Sequence, residues 1–157
     1  MRRIALLLMV MASTLLAASG VAWAVTKTCP PAPKLYKGTS GADVLKSTSK
    51  DNNMLGDGGN DTYTNFVRGK SGFDQILDSG GKDKLVLTNY KVSELTILGA
   101  DTNKNGKADS IFIFLDKKAT KNVVVLVDAL DDNKSLAKKP NTWRPGPGYI
   151  EVLLTKK

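Results

Sequence analysis

Between Lys37 and Thr88 the chain sets single apolar residues into polar, glycine-rich surroundings at a fixed interval. Leu45, Met54 and Tyr63 stand nine residues apart, and Ile76 and Leu85 resume that interval after a shift of four. Such spacing marks an internal repeat. Further on, the pattern changes character. The stretches 84–88, 95–98, 110–115, 122–127 and 149–154 are rich in β-branched and aromatic residues and bounded by turn formers, which predicts a strand in each. An amphipathic helix has its best claim at 128–139. At the other end, Arg2 and Arg3 precede an almost wholly apolar run from Ile4 to Leu16, and Ala22-Trp23-Ala24 has the small-x-small form that a signal peptidase reads. Residues 1–24 are therefore expected to be a cleaved signal peptide, the apolar run being short of the about 20 residues that a membrane span needs.

The repeat is legible place by place. In Gly38-Thr39-Ser40-Gly41-Ala42-Asp43-Val44-Leu45-Lys46, Gly holds the fourth place, Asp the sixth and an apolar residue the eighth. Two periods on, Gly56-Asp57-Gly58-Gly59-Asn60-Asp61-Thr62-Tyr63-Thr64 puts Gly, Asp and a large side chain in the same places. Between them, residues 47–55 keep the register with Asn52 sixth and Met54 eighth, but have lost the glycines. After a four-residue insertion, 65–68, the pattern resumes with Gly72, Asp74 and Ile76, and again with Gly81, Asp83 and Leu85. In each copy the first six residues suit a turn, the glycines supplying positive φ, and the last three suit a short strand with one inward side chain. Leu45, Met54, Tyr63, Ile76 and Leu85 are the predicted core.

The run Leu55-Gly56-Asp57-Gly58-Gly59-Asn60-Asp61-Thr62-Tyr63 resembles the GGxGxDxUx nonapeptide of the RTX, or hemolysin-type, calcium-binding proteins. One Gly-Asn-Asp string is weak as a signal, whereas copies that hold phase over nine and eighteen residues are specific. The resemblance spans about residues 38–90 and implies an all-β fold: a short parallel β-roll, followed by an antiparallel β unit. The expected organisation is a signal peptide at 1–24, an extended proline-containing leader at 25–37, the roll at 38–90 and a β-rich capping region at 91–157. Many RTX proteins leave by a type I exporter that reads a C-terminal signal. Here an N-terminal leader and the ending Thr155-Lys156-Lys157 argue against a toxin-type secretion role.

In such a roll nine residues make half a coil, so turns on one edge recur every eighteen residues. Ca²⁺ takes six to eight oxygens, from carboxylates and from carbonyls exposed by tight turns, and two stacked turns can sandwich it. Asp43 and Asp61, eighteen apart, are expected to face each other across a site. Asp83 continues that edge if the insertion bulges outward. On the opposite edge Asn52 stacks against Asp74, with a weaker ion expected for want of one carboxylate. Two or three calciums follow, with Asp57, Asn60 and Asp78 as auxiliary ligands. For any single Asp, turn formation is an adequate explanation. For the phased set it is not. So narrow a roll buries little apolar surface, so metal is expected to be required for it to fold.

A second candidate is Asp101-Thr102-Asn103-Lys104-Asn105-Gly106-Lys107-Ala108-Asp109, which matches the first six places of the EF-hand pattern D-x-[DN]-x-[DN]-G. The twelfth place is Phe112, so the bidentate Glu is missing. Its wording is nearer to the DxNxDGxxD loops of other extracellular calcium modules. Asp101, Asn103, Asn105 and Asp109 are its candidate ligands, and a polar hairpin turn is the competing reading.

Composition narrows the function. There is no histidine, which excludes HExxH zinc proteases, Ser-His-Asp hydrolases and Cys-His nucleophile pairs. A lyase or glycosidase working with carboxylates alone finds no Asp/Glu pair that stands apart from the repeat. No enzymatic activity is expected. Cleavage removes Arg2 and Arg3, so 23 basic residues become 21 against 15 acidic ones, an excess of six. The lysines are scattered with few aromatics among them, so nucleic acid is not an expected partner, and an anionic cell-surface polymer or glycan is the alternative to calcium alone. Cys29, the single cysteine, allows no internal disulfide and either stays free or pairs with another chain. The expectation is a secreted or cell-surface calcium-binding protein without a transmembrane span. A calcium-stabilised adhesin or carbohydrate-binding module, with Trp143 in its loop, is the alternative.

Overall fold

A computed structural model of the chain describes residues 24–78, 80–116, 122–127 and 149–155. The signal segment up to residue 23, the predicted helix at 128–139 and the loop 143–148 lie outside the described residues. The strands are β1 (Thr26–Thr28), β2 (Leu35–Lys37), β3 (Val44–Lys46), β4 (Asn52–Leu55), β5 (Thr62–Thr64), β6 (Phe73–Leu77), β7 (Lys82–Thr88), β8 (Thr96–Ala100), β9 (Ser110–Phe114), β10 (Val123–Val127) and β11 (Tyr149–Thr155). Within the repeat they cover the last places of each copy, starting after the sixth-place Asp in β3 and β5 and taking in the sixth-place Asn52, Asp74 and Asp83 in β4, β6 and β7.

Successive strands up to β7 alternate between two sheets, one ordered β1-β3-β5-β7-β11 and the other β2-β4-β6-β10-β9-β8. Neighbours within the roll are parallel: Thr26 pairs with Val44 and Val44 with Thr62, a step of eighteen. From Thr62 to Lys84, and from Asn52 to Asp74, the step is twenty-two. The four extra residues are absorbed at 65–68, where Phe66 turns into the core at 2% exposure while Val67 and Arg68 stay outside. This is the all-β roll that the family resemblance implied. Leu45, Tyr63 and Leu85 from one sheet meet Met54 and Ile76 from the other, all at most 1% exposed. Burying such side chains contributes about 1.5–3 kcal/mol each.

Two expectations need correction. Residues 25–37 are more than an extended proline-containing leader: β1 and β2 form a first coil on β3 and β4, and Cys29 lies in the core at 2% exposure. Pro30, Pro31 and Pro33 fall between these two strands, at the end of the stack, where a missing N–H disrupts no ladder. Burial pushes the Cys29 thiol up to about 11, so in this fold it is an inert core group and does not offer itself to another chain.

The C-terminal strands, likewise, do more than cap. β8, β9 and β10 are antiparallel as expected, but β10 also runs parallel to β6 and β11 parallel to β7, so both sheets are extended. The edges of β6 and β7 would otherwise present unpaired N–H and C=O groups. Val123 to Leu126 are buried in succession, as suits a strand covered on both faces. No helix among the described residues is long and apolar enough to cross a membrane.

Candidate metal centre

Turns 38–43 and 56–61, and the link from β6 to β7, carry the chain from one sheet to the other along one edge. They bring Asp43, Asp61 and Asp83 into a column, all at most 1% exposed. The column is held by the backbone. Asp43 N–H donates to Asp61 Oδ1 at 2.8 Å, Asp61 N–H to Asp83 Oδ1 at 2.8 Å, and Val25 N–H to Asp43 Oδ1 at 2.6 Å. The sixth-place Asp therefore has a structural task, fastening each coil to the one before, and only its second oxygen is available for other chemistry.

The second oxygens differ. Asp43 Oδ2 accepts Thr39 N–H at 2.5 Å. Asp61 Oδ2 is buried and accepts no hydrogen bond. Around it, oxygens of Asp61, Asp78 and Asp83 lie within 4.8 Å of one another. Among the described residues no lysine or arginine forms a salt bridge with Asp61 or Asp83. Burial, reinforced by the Asp78 charge, pushes Asp61 and Asp83 up to about 7, with backbone hydrogen bonds opposing it in both. A hard divalent cation bound here would supply the missing positive charge and a partner for the orphaned oxygen. Three carboxylate oxygens would begin its shell, leaving the remainder to turn carbonyls and water.

The third carboxylate comes from a residue that the sequence placed only among auxiliary ligands. Asp78 stands at the first place of its copy, where Gly38, Gly56 and Gly69 stand in others. Its Oδ2 accepts the hydroxyl of Tyr63 at 2.5 Å and its Oδ1 accepts Gly80 N–H at 3.1 Å. Tyr63 reads from sequence as core alone. It is core by its ring, but its polar tip reaches the metal edge, and burial beside Asp78 holds its phenol far above the ordinary range. Gly56 completes the cradle: a Cβ there would overlap Tyr63 Oη, Asp61 Oδ2 and Asp78 Oδ2. Tyr63→Phe, which keeps the ring and releases Asp78, is expected to weaken calcium binding roughly tenfold, as loss of a supporting hydrogen bond to a ligand does; calorimetric titration checks it.

The other predicted residues are placed as follows. Asp57 lies at the surface, with Lys37 Nζ 3.5 Å from its Oδ2, and Asn60 Oδ1 accepts Lys82 N–H at 2.9 Å. On the opposite edge Asn52 and Asp74 do stack, Asn52 N–H donating to Asp74 Oδ1 at 3.0 Å. Burial pushes Asp74 up to about 7, against hydrogen bonds from Ser47 and Asn52. Residues 101–109 form the loop of the β8–β9 hairpin, closed by the Ala100–Ser110 pair. There Asp101 accepts the N–H groups of Asn105 at 3.1 Å and Gly106 at 2.7 Å, Asn103 Oδ1 accepts Asn105 N–H at 3.0 Å, and Asn105 Oδ1 accepts Lys107 N–H at 2.9 Å. Asp109 accepts Thr102 Oγ1 at 2.7 Å and Asn103 N–H at 2.9 Å, and these donors, Thr102 first, hold its carboxyl down at about 2. Each of these side chains accepts backbone N–H groups within the loop.

No curated protein and no solved structure matches the chain. A family model, described as the RTX calcium-binding nonapeptide repeat (4 copies), matches residues 37–65 and 62–87. Those residues contain the whole Asp43–Asp61–Asp83 column together with Asp78, so the metal edge of this roll lies within the segment that matches the RTX nonapeptide repeat, a repeat that binds Ca²⁺.

Proposed function

We propose that this chain is an exported, non-catalytic calcium-binding protein whose roll is ordered by the ion it binds between stacked turns. The observation that carries this reading is the buried, unpartnered Asp61 Oδ2 among the carboxylates of Asp78 and Asp83. Buried carboxylates gathered this closely repel one another in the metal-free fold and are compensated when a cation binds, so they favour the complex over the empty fold. The leader at 1–24 supports export, and a protein made where calcium is scarce and delivered where it is abundant acquires its fold at its destination. The absence of histidine and the use of the repeat carboxylates as coil fasteners support a non-catalytic role.

Calcium titration of the chain from Val25 onward, followed by circular dichroism and calorimetry, tests the reading. The expected result is a gain of β-structure coupled to uptake of calcium. An identical spectrum in excess chelator, with no metal taken up on titration, overturns it.

A further inference from the structure

The two edges of the roll share one frame and differ in one respect. On both, a sixth-place side chain accepts through Oδ1 the N–H of the sixth-place residue one coil earlier: Asp43 to Asp61 and Asp61 to Asp83 on one edge, Asn52 to Asp74 on the other. What fills the second oxygen is different. Asp61 Oδ2 has no partner, whereas Asp74 Oδ2 accepts the hydroxyl of Ser47 at 2.8 Å.

We propose that calcium enters this roll along the Asp61–Asp78–Asp83 edge only, and that on the opposite edge Ser47, Thr48 and Asn52 stand in the place of an ion. The proposal rests on the calcium reading above and specifies which residues set its stoichiometry.

Ser47 is a built donor. It is fully buried, its N–H donates to Thr64 O at 2.9 Å, and its carbonyl accepts Asn65 Nδ2 at 2.7 Å, so the backbone from which its hydroxyl projects is fixed on both sides. Asn52 is oriented with equal definition. Its Oδ1 accepts Thr48 N–H at 2.8 Å and Thr48 Oγ1 at 3.1 Å, and its Nδ2 donates to Pro30 O at 2.9 Å. Only one amide orientation meets both demands. An amide that contributes an NH₂ group and has its oxygen already taken is a poor calcium ligand, where a second carboxylate would be a good one. Asp51, the other carboxylate near Asp74, is exposed and receives Phe73 N–H at 2.8 Å. This edge therefore has its hydrogen bonds in place without metal, and the glycines lost from copy 47–55 are lost where no ion needs turn carbonyls presented to it.

Calorimetric calcium titration of the full mature chain and three variants decides the matter. Asp74→Asn keeps an acceptor for Asn52 N–H and should bind as many calciums as the parent, with affinity within about twofold, while Asp61→Asn loses binding. Ser47→Ala combined with Asn52→Asp removes the substitute donor and restores the second carboxylate, and should gain about one further equivalent of calcium. Lower stoichiometry or a loss beyond about tenfold in Asp74→Asn, or no added calcium in a double variant whose calcium-loaded spectrum matches the parent, overturns the one-edge assignment. No uptake by the parent chain overturns the calcium reading itself, a different outcome from either.

Discussion

An Asp61→Asn chain should lose calcium from the metal edge, with affinity down by at least about 100-fold, yet fold in chelator at least as firmly as the parent. The two effects have opposite signs for one reason. Asparagine retains an Oδ1 that accepts Asp43 N–H, so the coil fastener survives. At the Oδ2 position, where the parent has a buried oxygen without a partner, it places an NH₂ group that repels a cation and can donate to the neighbouring carboxylates. Removing one charged ligand from a buried cluster is worth about 3 kcal/mol, which sets the 100-fold figure. Without metal the linkage runs the other way. Asp61 is raised from 3.8 to about 7 in the fold, so its protonated form is the one the fold favours. Its contribution to metal-free stability is present at low pH and is lost as pH rises through about 7. Circular dichroism in chelator at several pH values should therefore show the variant gaining β-structure relative to the parent as the solution passes from acid to neutral. Equal calcium affinity in the two chains would remove Asp61 from the site.

That behaviour was only partly legible in the sequence. The nine-residue period was readable because each fixed place has its own backbone reason: the sixth-place Asp fastens the preceding coil, and the eighth-place residue fills the space between sheets. Asp43, Asp61 and Asp83 could thus be aligned by counting. The first coil could not, since an end coil needs a neighbour on one side only, and 25–37 meets that need with a cysteine in the core and no glycine or aspartate. Pairings such as Val123 with Phe73 and Tyr149 with Lys82 join residues far apart in the chain; strand propensity shows that a strand exists and is silent on its neighbour. The continuous apolar run at 123–127 was the available sign of a strand buried on both faces. The contrast between edges was hidden for a similar reason: Ser47 meets Asp74 across 27 residues and Tyr63 meets Asp78 across 15, and neither contact follows from the repeat.

Gly59→Ala should unfold the metal edge, whereas Gly58→Ala, one residue earlier, should be nearly silent. Gly59 has φ of +110°, a conformation that residues with a Cβ rarely adopt, and a Cβ there would overlap the carbonyl of Gly41 in the coil below. The same relation recurs one coil up, where a Cβ on Gly81, at φ of +135°, would overlap the carbonyl of Gly59. Fourth-place glycine is therefore the point at which one turn rests directly on the next, and backbone cannot move aside as a flexible side chain does. Overpacking and backbone strain together should cost about 3 kcal/mol or more, enough to separate turn 56–61 from turn 38–43. Asp43 N–H and Asp61 Oδ1 would then part, and the Asp61 carboxylate would leave the cluster without any ligand having been altered. At Gly58 a Cβ meets nothing within 4 Å, so alanine there should change stability by less than about 0.5 kcal/mol. Parallel calcium titrations of the two variants, read by circular dichroism, make the comparison. If both bind and fold like the parent, the coils are not stacked backbone on backbone at this place, and the geometry that gathers Asp61, Asp78 and Asp83 loses its foundation.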